Sequence, residues 1–235
     1  MIYVLCGGKN KDSNLNIIEK KAFSLLNKDK YNILFTPLAK INDKEKQINK
    51  FKELIKDINS DIKILDLSNL CEFDSLLNWC DIFYVSGGVS DDLVNIFKDN
   101  KLDLILKKYD KSNKIYFGNS AGAMLVTKES FGDKYMFYDN FHNYNYKMVN
   151  CLNILNISIC PHYQNEDLII YNDYVNKLDI LSFGIEENTA LVIDNNKYFV
   201  FKDYKNRSVY LFDRNHKMIP LYEGIIYEEN SDFRS

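Results

Sequence analysis

The sequence predicts an α/β protein built on a mainly parallel sheet that is flanked by helices on both faces. Over the first 130 residues, short runs rich in β-branched and aromatic residues alternate with longer amphipathic stretches. This alternation is typical of right-handed βαβ units. After about residue 180 the apolar runs become short and closely spaced, so antiparallel hairpins are expected to be added at the C-terminal end.

The predicted elements follow in chain order. A strand at 2–6 precedes a helix that Ser13 would cap, whose apolar residues recur with a period of 3.6 between Leu15 and Leu26. Further strands are predicted at 31–35, 62–67, 82–85, 114–117 and 157–160, and helices at about 43–58, from Asp91 and over 102–109. Hairpin strands are predicted at 180–185, 190–193, 198–201, 209–212 and 218–221. Because no linker or repeat interrupts this order, residues 1–235 are predicted to form a single α/β domain.

Composition excludes several classes of function. The 30 Lys and Arg against 33 Asp and Glu give a net charge of −3, which is not that of a nucleic-acid-binding protein. No basic leader and no apolar run of about 18 residues is present, so no membrane partner is expected. The five cysteines form no CxxC pair, which favours reduced thiols in a cytoplasmic protein over a disulfide framework or a zinc site. The sequence has no GxxxxGK[ST] or HExxH motif, so neither a metal nor a cofactor is expected.

The most informative segment is Gly-Asn-Ser-Ala-Gly at 118–122, which follows a predicted strand and precedes an apolar helix. A Gly-x-Ser-x-Gly sequence in this context is typical of a nucleophile elbow, a tight turn that lifts a serine out of the end of a strand. Small neighbours are needed because the turn has no room for larger side chains. The segment therefore predicts that Ser120 is a catalytic nucleophile, whereas a junction chosen only for close packing is the alternative.

A pair of glycines supports the prediction that Ser120 is a catalytic nucleophile. Gly87 and Gly88 follow the strand at 82–85, and ligands of open parallel sheets bind beyond the carboxyl ends of the strands. An oxyanion hole needs two convergent main-chain N–H donors, one of them usually from the residue after the nucleophile. The predicted donors are Ala121 together with Gly87 or Gly88.

Four segments occur along the chain in the order Tyr-Val-Ser-Gly-Gly at 84–88, Gly-Asn-Ser-Ala-Gly-Ala at 118–123, Cys-Pro-His-Tyr at 160–163 and Gly-Ile-Glu-Glu-Asn-Thr-Ala-Leu at 184–191. Together they resemble the dipeptidase E and cyanophycinase family of serine peptidases. The resemblance covers about residues 80–195, and it implies the class I glutamine amidotransferase-like fold, which is of flavodoxin-like type. It also implies a serine nucleophile with a histidine base, acting on short peptides with an N-terminal aspartyl residue or on aspartyl-linked polymers.

The same resemblance identifies His162 as the general base. It follows a predicted strand whose carboxyl end would face the elbow, and a serine needs a neighbouring imidazole to remove its proton. The sequence contains two other histidines. His142 lies in an aromatic, Asn-rich segment within residues 135–150, where a lid is one interpretation, and His216 lies in a predicted hairpin turn.

Two carboxylates compete for the third place in the triad. Asp133 lies thirteen residues after Ser120 and matches the acid of many dipeptidase E-like sequences. Glu187 matches an acidic position of the cyanophycinase branch, and it would place the acid after the histidine as in the amidotransferases. Either could hold the imidazole tautomer. Asp133 is the preferred candidate, and Glu187 remains the alternative.

The sequence therefore predicts a serine peptidase that hydrolyses dipeptides or short peptides, with an N-terminal acidic residue as one candidate, through an acyl-enzyme on Ser120. The alternatives are a cyanophycinase-like isopeptidase and a peptide- or small-molecule-binding or sensing protein that kept the fold. A glutaminase would need cysteine at the elbow. The family's arginines after the histidine are replaced by Gln-Asn-Glu-Asp at 164–167, and no arginine precedes Arg207. The expected partner is a small peptide substrate, and a homodimer is left open.

Overall fold

Two β-sheets form the framework of this computed structural model. The structure describes residues 1–9, 16–133, 146–164, 168–204, 206–213 and 217–228, and at 133, 146 and 168–170 it describes the backbone alone. Within these residues, eight strands form the first sheet and six form the second. The predicted cap Ser13 and the two histidines His142 and His216 lie outside the described residues.

The predicted strands and helices are present, with shifted ends. The strands are β1 (Ile2–Cys6), β2 (Tyr31–Thr36), β3 (Ser60–Ile64), β4 (Ile82–Val85), β5 (Ile115–Asn119), β6 (Thr127–Asp133), β7 (Tyr146–Asn150), β8 (Leu155–Pro161), β9 (Leu181–Ile185), β10 (Thr189–Asp194), β11 (Lys197–Lys202), β12 (Val209–Phe212), β13 (Met218–Leu221) and β14 (Tyr227–Glu228). The helices are α1 (Ile17–Ser24), α2 (Lys44–Leu54), α3 (Phe73–Trp79), α4 (Ser90–Asp99), α5 (Leu102–Lys108), α6 (Ala121–Leu125) and α7 (Leu168–Val175), with 3₁₀ turns at Leu38–Asp43 and Leu70–Glu72.

Two differences from the predicted elements have local causes. Strand β3 ends at Ile64 and not at 67, because the Asp66 carboxylate accepts the main-chain N–H of Ser68 at 2.8 Å and closes a turn there. Strands β6, β7 and β14 and helix α7 were not predicted, and neither was helix α3. Its buried residues Phe73, Leu76 and Leu77 follow the i, i+3, i+4 spacing of a helix, but the segment is only two turns long.

The first sheet has the order β14-β11-β10-β1-β5-β4-β2-β3. Strands β1 to β5 are mutually parallel where they pair, and β10, β11 and β14 are added antiparallel beyond β1. The mainly parallel sheet and the antiparallel C-terminal strands are therefore both confirmed. Because β1, β5 and β4 are neighbours, their carboxyl ends bring the segments after Cys6, Asn119 and Val85 to one edge.

The second sheet has the order β13-β12-β9-β8-β6-β7. Its central strands β6, β8 and β9 are parallel, while β7, β12 and β13 pair antiparallel. The antiparallel strands predicted after residue 180 are thus divided between the two sheets. The chain passes from one sheet to the other between β9 and β10, that is, across residues 186–188.

Alternating side chains of the first sheet supply two separate core layers. Val4 and Cys6 of β1 pack in the cluster that contains α1 and α2. Tyr3 and Leu5 pack on the opposite face, in a cluster that includes α3 to α6 and the inner face of the second sheet. A third cluster, around Tyr163, places α7 against the outer face of the second sheet. The first sheet is therefore covered on both faces.

Two glycines let α6 approach the first sheet closely. A Cβ atom added to Gly118 would lie 2.4 Å from the carbonyl oxygen of Gly122, and one added to Gly122 would lie 2.3 Å from the carbonyl oxygen of Val85. Both contacts are with main-chain atoms, which cannot move aside as a flexible side chain can. The short helix after Ser120 can therefore take its place only if both residues lack a side chain.

We expect Gly122→Ala to lower the free energy of unfolding by about 3 kcal/mol, the upper end of the usual cost of overpacking. Gly132→Ala is the matched control, because its new Cβ would meet the flexible end of Met124 at 2.7 Å. That control should lose less than about 1 kcal/mol, since methionine adapts easily. Urea unfolding followed by circular dichroism measures both values. Equal stability of the two variants would contradict the close contact between α6 and β4.

Candidate active site

Ser120 lies at the turn between β5 and α6 in a strained main-chain conformation. Its φ of 53° and ψ of −113° are rare for a residue with a side chain. Its N–H donates to the carbonyl oxygen of Cys6 at 2.9 Å, and its own carbonyl oxygen accepts the N–H of Ala123 at 2.8 Å. The residue is thus fixed between β1 and α6. The strand, turn and helix predicted for a nucleophile elbow are all present.

His162 faces Ser120 from the end of β8. Its Nε2 atom lies 2.8 Å from Oγ of Ser120. The residue adopts a positive φ of 55° directly after the strand, and its N–H donates to the carbonyl oxygen of Gly7 at 2.8 Å. Sequence reasoning predicted that these two side chains meet, and the structure brings them together although they belong to different sheets.

Glu187 completes a hydrogen-bonded chain with Ser120 and His162. Its Oε1 atom lies 2.9 Å from Nδ1 of His162. A carboxylate can only accept, so Nδ1 of the neutral imidazole is the donor and Nε2 is left to accept from the Ser120 hydroxyl. The hydrogen bond from His162 lowers the pKa of Glu187, and the positive charge of Arg207 acts in the same direction. The carboxylate is therefore ionised at neutral pH.

Asp133, the preferred candidate for the acid, ends strand β6, where it pairs with Tyr146. Its side chain lies outside the described residues, so its catalytic role remains a prediction. Glu187, the alternative candidate, is the carboxylate that the structure places against Nδ1 of His162. Glu187 lies in the passage from β9 to β10, and its position depends on both sheets.

Gly8 is a site residue that sequence reasoning did not single out. It has a φ of 118°, and an added Cβ would lie 2.2 Å from Cε1 and 2.6 Å from Nδ1 of His162. The imidazole therefore occupies the space that a side chain at position 8 would need, so only glycine fits there. Its carbonyl oxygen also accepts the N–H of Asn188, the residue after Glu187, at 2.8 Å. The signal in the sequence was the Gly-Gly pair at the carboxyl end of β1.

Two of the predicted oxyanion-hole residues, Gly87 and Ala121, adjoin Ser120, and Gly88 packs against Ala39. An added Cβ on Gly87 would lie 3.1 Å from Cβ of Ser120, and one on Gly88 would lie 2.0 Å from the carbonyl oxygen of Ala39. Ala121 follows Ser120 as the first residue of α6. In the described part of the chain, no acceptor is recorded for the main-chain N–H groups of these three residues. They remain available as donors to a substrate oxygen.

A buried ion pair holds the loop after β1. Glu19 of α1 is completely buried, and its two carboxylate oxygens lie 2.8 and 2.9 Å from Nζ of Lys9. Tyr84 donates to the same carboxylate at 3.1 Å. Because a buried charge must be paired, this cluster fixes Lys9. The neighbouring Gly8 is thereby held under the imidazole of His162.

No other group described near the site provides a competing chemistry. Burial raises the pKa of the Cys6 thiol to about 12, so this cysteine is not a thiolate nucleophile. In the described ranges no three His, Cys, Asp or Glu side chains are grouped to hold a metal ion. No helix within those ranges is long and apolar enough to cross a membrane.

Comparison with known families and structures agrees with this geometry. Residues 2–201 match the model of peptidase family S51. A 1.5 Å crystal structure of a protein provisionally assigned as peptidase E, from Listeria monocytogenes EGD-e, has 19% identity and a TM-score of 0.64, covering 86% of this chain and 98% of that one. A peptidase from an acI-B1 Actinobacterium has 20% identity and a TM-score of 0.70, covering 97% and 96%.

At these identities the two structures show the fold. A comparison with curated proteins finds no match. The family model, however, spans every element that carries Ser120, His162 and Glu187. The chain therefore belongs to peptidase family S51, whose members are peptidase hydrolases.

Proposed function

We propose that this protein is a serine peptidase that hydrolyses dipeptides or short peptides through an acyl-enzyme on Ser120. The observation that carries the proposal is the continuous chain from Oγ of Ser120 to Nε2 of His162 at 2.8 Å and from Nδ1 to Oε1 of Glu187 at 2.9 Å. A nucleophile, a base and an orienting acid within hydrogen-bond distance of one another are the features of acyl transfer by a serine.

In the first half of the reaction, Oγ of Ser120 attacks the carbonyl carbon of the scissile peptide bond. The hydroxyl proton passes to Nε2 of His162, and the carbonyl oxygen becomes an oxyanion. Glu187 keeps the imidazole in the tautomer that accepts this proton and stabilises the imidazolium that results. Its lowered pKa supports this role, because the carboxylate is charged before the proton arrives.

The oxyanion is assigned to the main-chain N–H groups of Ala121 and of Gly87 or Gly88. Donors fixed in this way stabilise the transition state without having to reorganise during the reaction. The strained turn at Ser120 and the close packing of Gly88 on Ala39 support the assignment, because both fix the donors' positions before the substrate arrives.

Collapse of the tetrahedral intermediate breaks the bond between the carbonyl carbon and the leaving nitrogen. The imidazolium of His162 gives its proton to that nitrogen, and an acyl ester on Ser120 remains. Water then attacks the ester and gives its proton to His162, and the second collapse returns that proton to Oγ. The free acid and the amine are the products, and the site is restored.

The family supports short peptides as the substrate class. Membership of peptidase family S51 and the name of the Listeria neighbour, peptidase E, are the supporting findings. The chain has no arginine directly after His162, so capture of an N-terminal acidic residue would need another cation. A library of dipeptides and isopeptides assayed with the wild type and Ser120→Ala tests the substrate class.

Ser120→Ala and His162→Ala should each lower kcat by about 10⁴- to 10⁶-fold, and the double variant should lose little more, because members of one catalytic unit are not additive. Steady-state kinetics on the best substrate of the library checks this. Ser24→Ala, which removes an exposed hydroxyl from α1, is the control and should stay within twofold of the wild type. If the loss of kcat in the double variant equalled the product of the two single losses, Ser120 and His162 would not act as one catalytic unit.

Glu187→Gln should lower kcat by about 10⁴-fold, because an amide favours the wrong imidazole tautomer. Asp133→Asn, the matched change at the other candidate, should stay within tenfold of the wild type. Single-turnover kinetics with equal amounts of folded protein measures both. The reverse pattern would assign the acid to Asp133. If neither variant lost activity, catalysis would depend on a Ser-His dyad without an acid.

A further inference from the structure

Arg207 lies beside the candidate triad, although it is distant from it in sequence. Strands β9 and β12 pair antiparallel, with Ile185 opposite Val209. The pairing continues beyond the strands, where the N–H of Glu186 donates to the carbonyl oxygen of Ser208 at 3.2 Å. Extending this register by one residue would set Arg207 across from Glu187, and the charge of Arg207 does act on that carboxylate. It is the single arginine of the described residues.

The guanidinium of Arg207 has no anionic partner in the described residues. The side chain is partly buried, and the structure records neither an ion pair nor a side-chain hydrogen bond for it. Its charge nevertheless acts on Glu187, after the hydrogen bond from His162, in lowering the pKa of that carboxylate. Arginine carries five N–H donors in a planar fork that fits a carboxylate. A half-buried fork at the margin of a catalytic site is therefore suited to bind an anion.

Among the described residues, the lysines near Arg207 and the site are already engaged. Lys9 is held by the buried carboxylate of Glu19 at 2.8 Å. Lys202 donates to the Ser208 hydroxyl at 3.5 Å, and Lys21 donates to the carbonyl oxygen of Lys202 at 3.0 Å. Lysine is also a poor substitute for the bidentate fork. In the part of the chain that the structure describes, Arg207 is therefore the best placed cation for a carboxylate at this side of the site.

The direction of proton transfer indicates which side of the scissile bond Arg207 serves. Starting from Ser120, the hydrogen-bonded chain leads to His162 and then to Glu187, and the charge of Arg207 acts at the Glu187 end of this chain. The leaving nitrogen receives its proton from His162, so the leaving residue lies on the histidine side. In a dipeptide, the C-terminal carboxylate is two bonds from that nitrogen and extends beyond the imidazole.

We propose that Arg207 binds a carboxylate on the leaving residue of the substrate and so determines specificity for it. The inference rests on the proposed peptidase function. A substrate that ends one residue after the scissile bond presents this carboxylate at its C-terminus, while a longer peptide presents a neutral amide there. Arg207 would thus select dipeptides over longer peptides. A leaving Asp or Glu could present a side-chain carboxylate in its place.

Three matched substrates distinguish a C-terminal carboxylate from a side-chain carboxylate as the group that Arg207 binds. The first is a dipeptide that the wild type hydrolyses, the second is its C-terminal amide, and the third is the amide with aspartate as the leaving residue. The wild type should prefer the acid to its amide by about 10- to 100-fold in kcat/KM, the size expected of a hydrogen-bonded charge. If kcat/KM for the third substrate returns to the level of the acid, the side-chain carboxylate is a group that Arg207 binds.

Arg207→Gln should reduce kcat/KM for the acid to the level of the amide and leave the amide unchanged, and Arg207→Lys should recover part of the loss. Lys197→Gln is the control, since it removes one positive charge from an exposed position on β11 and should change neither substrate. Calorimetry with Ser120→Ala gives a second readout, because the acid should bind more tightly than the amide without being cleaved.

Two results would overturn the assignment of Arg207 without contradicting the proposed peptidase function. One is equal hydrolysis of acid, amide and aspartyl amide by the wild type. The other is an equal loss on all substrates in Arg207→Gln, which would show that Arg207 acts on the chemistry through Glu187. If no peptide is hydrolysed in a Ser120-dependent manner, the proposed function itself fails, and the inference fails with it.

Discussion

The site depends on the way in which two sheets are joined at the end of β1. Ser120 belongs to the first sheet and His162 to the second, while Glu187 lies in the passage between them. The loop after β1 connects all three regions through main-chain hydrogen bonds, because Gly7 accepts from His162 and Gly8 accepts from Asn188, both at 2.8 Å. Hydrogen bonds of this kind are independent of side-chain rotamers. The three catalytic groups therefore keep their mutual distances as long as the two sheets stay joined.

The connection between the two sheets also explains why strained main-chain conformations and small residues are concentrated around the site. Ser120 and His162 both adopt positive φ angles, and so does Asn188, which follows Glu187. Such conformations cost about 1–3 kcal/mol each and persist only where the surroundings enforce them. Here the enforcing groups are close contacts that tolerate no side chain, above all that of Gly8 with the imidazole. The buried Glu19 carboxylate, paired with Lys9, also fixes this loop.

Local sequence signals were sufficient for much of this structure. The strand, turn and helix around Ser120 are contiguous in sequence, so the elbow could be predicted, and the parallel sheet follows from the alternation of short and long apolar runs. The histidine required the resemblance to a family as well. The described residues agree with that resemblance, since His162 lies within hydrogen-bond distance of Ser120.

Features set by long-range pairing could not be predicted in the same way. Which sheet a short strand joins depends on partners far away in sequence, so the division of the C-terminal strands between two sheets was missed. The contact of Gly8 with His162 joins residues 154 positions apart, since 162 − 8 = 154. The position of Arg207 beside Glu187 likewise depends on the register between β9 and β12. The sequence also left two candidates for the acid, with Asp133 preferred, because Asp133 and Glu187 each match an acidic position of the resembled family. Only a structure shows which carboxylate meets Nδ1 of His162.

The central claim is that His162, held against Gly8 and Glu187, makes Ser120 nucleophilic. Labelling with a fluorophosphonate, followed by mass spectrometry of the intact protein and of its peptides, tests this directly and needs no knowledge of the substrate. We expect one adduct per chain, on the peptide that contains Ser120, and a labelling rate at least about 10³-fold lower in His162→Ala, since members of a catalytic unit act together. An adduct on another residue, or equal rates in the wild type and His162→Ala, would contradict the account.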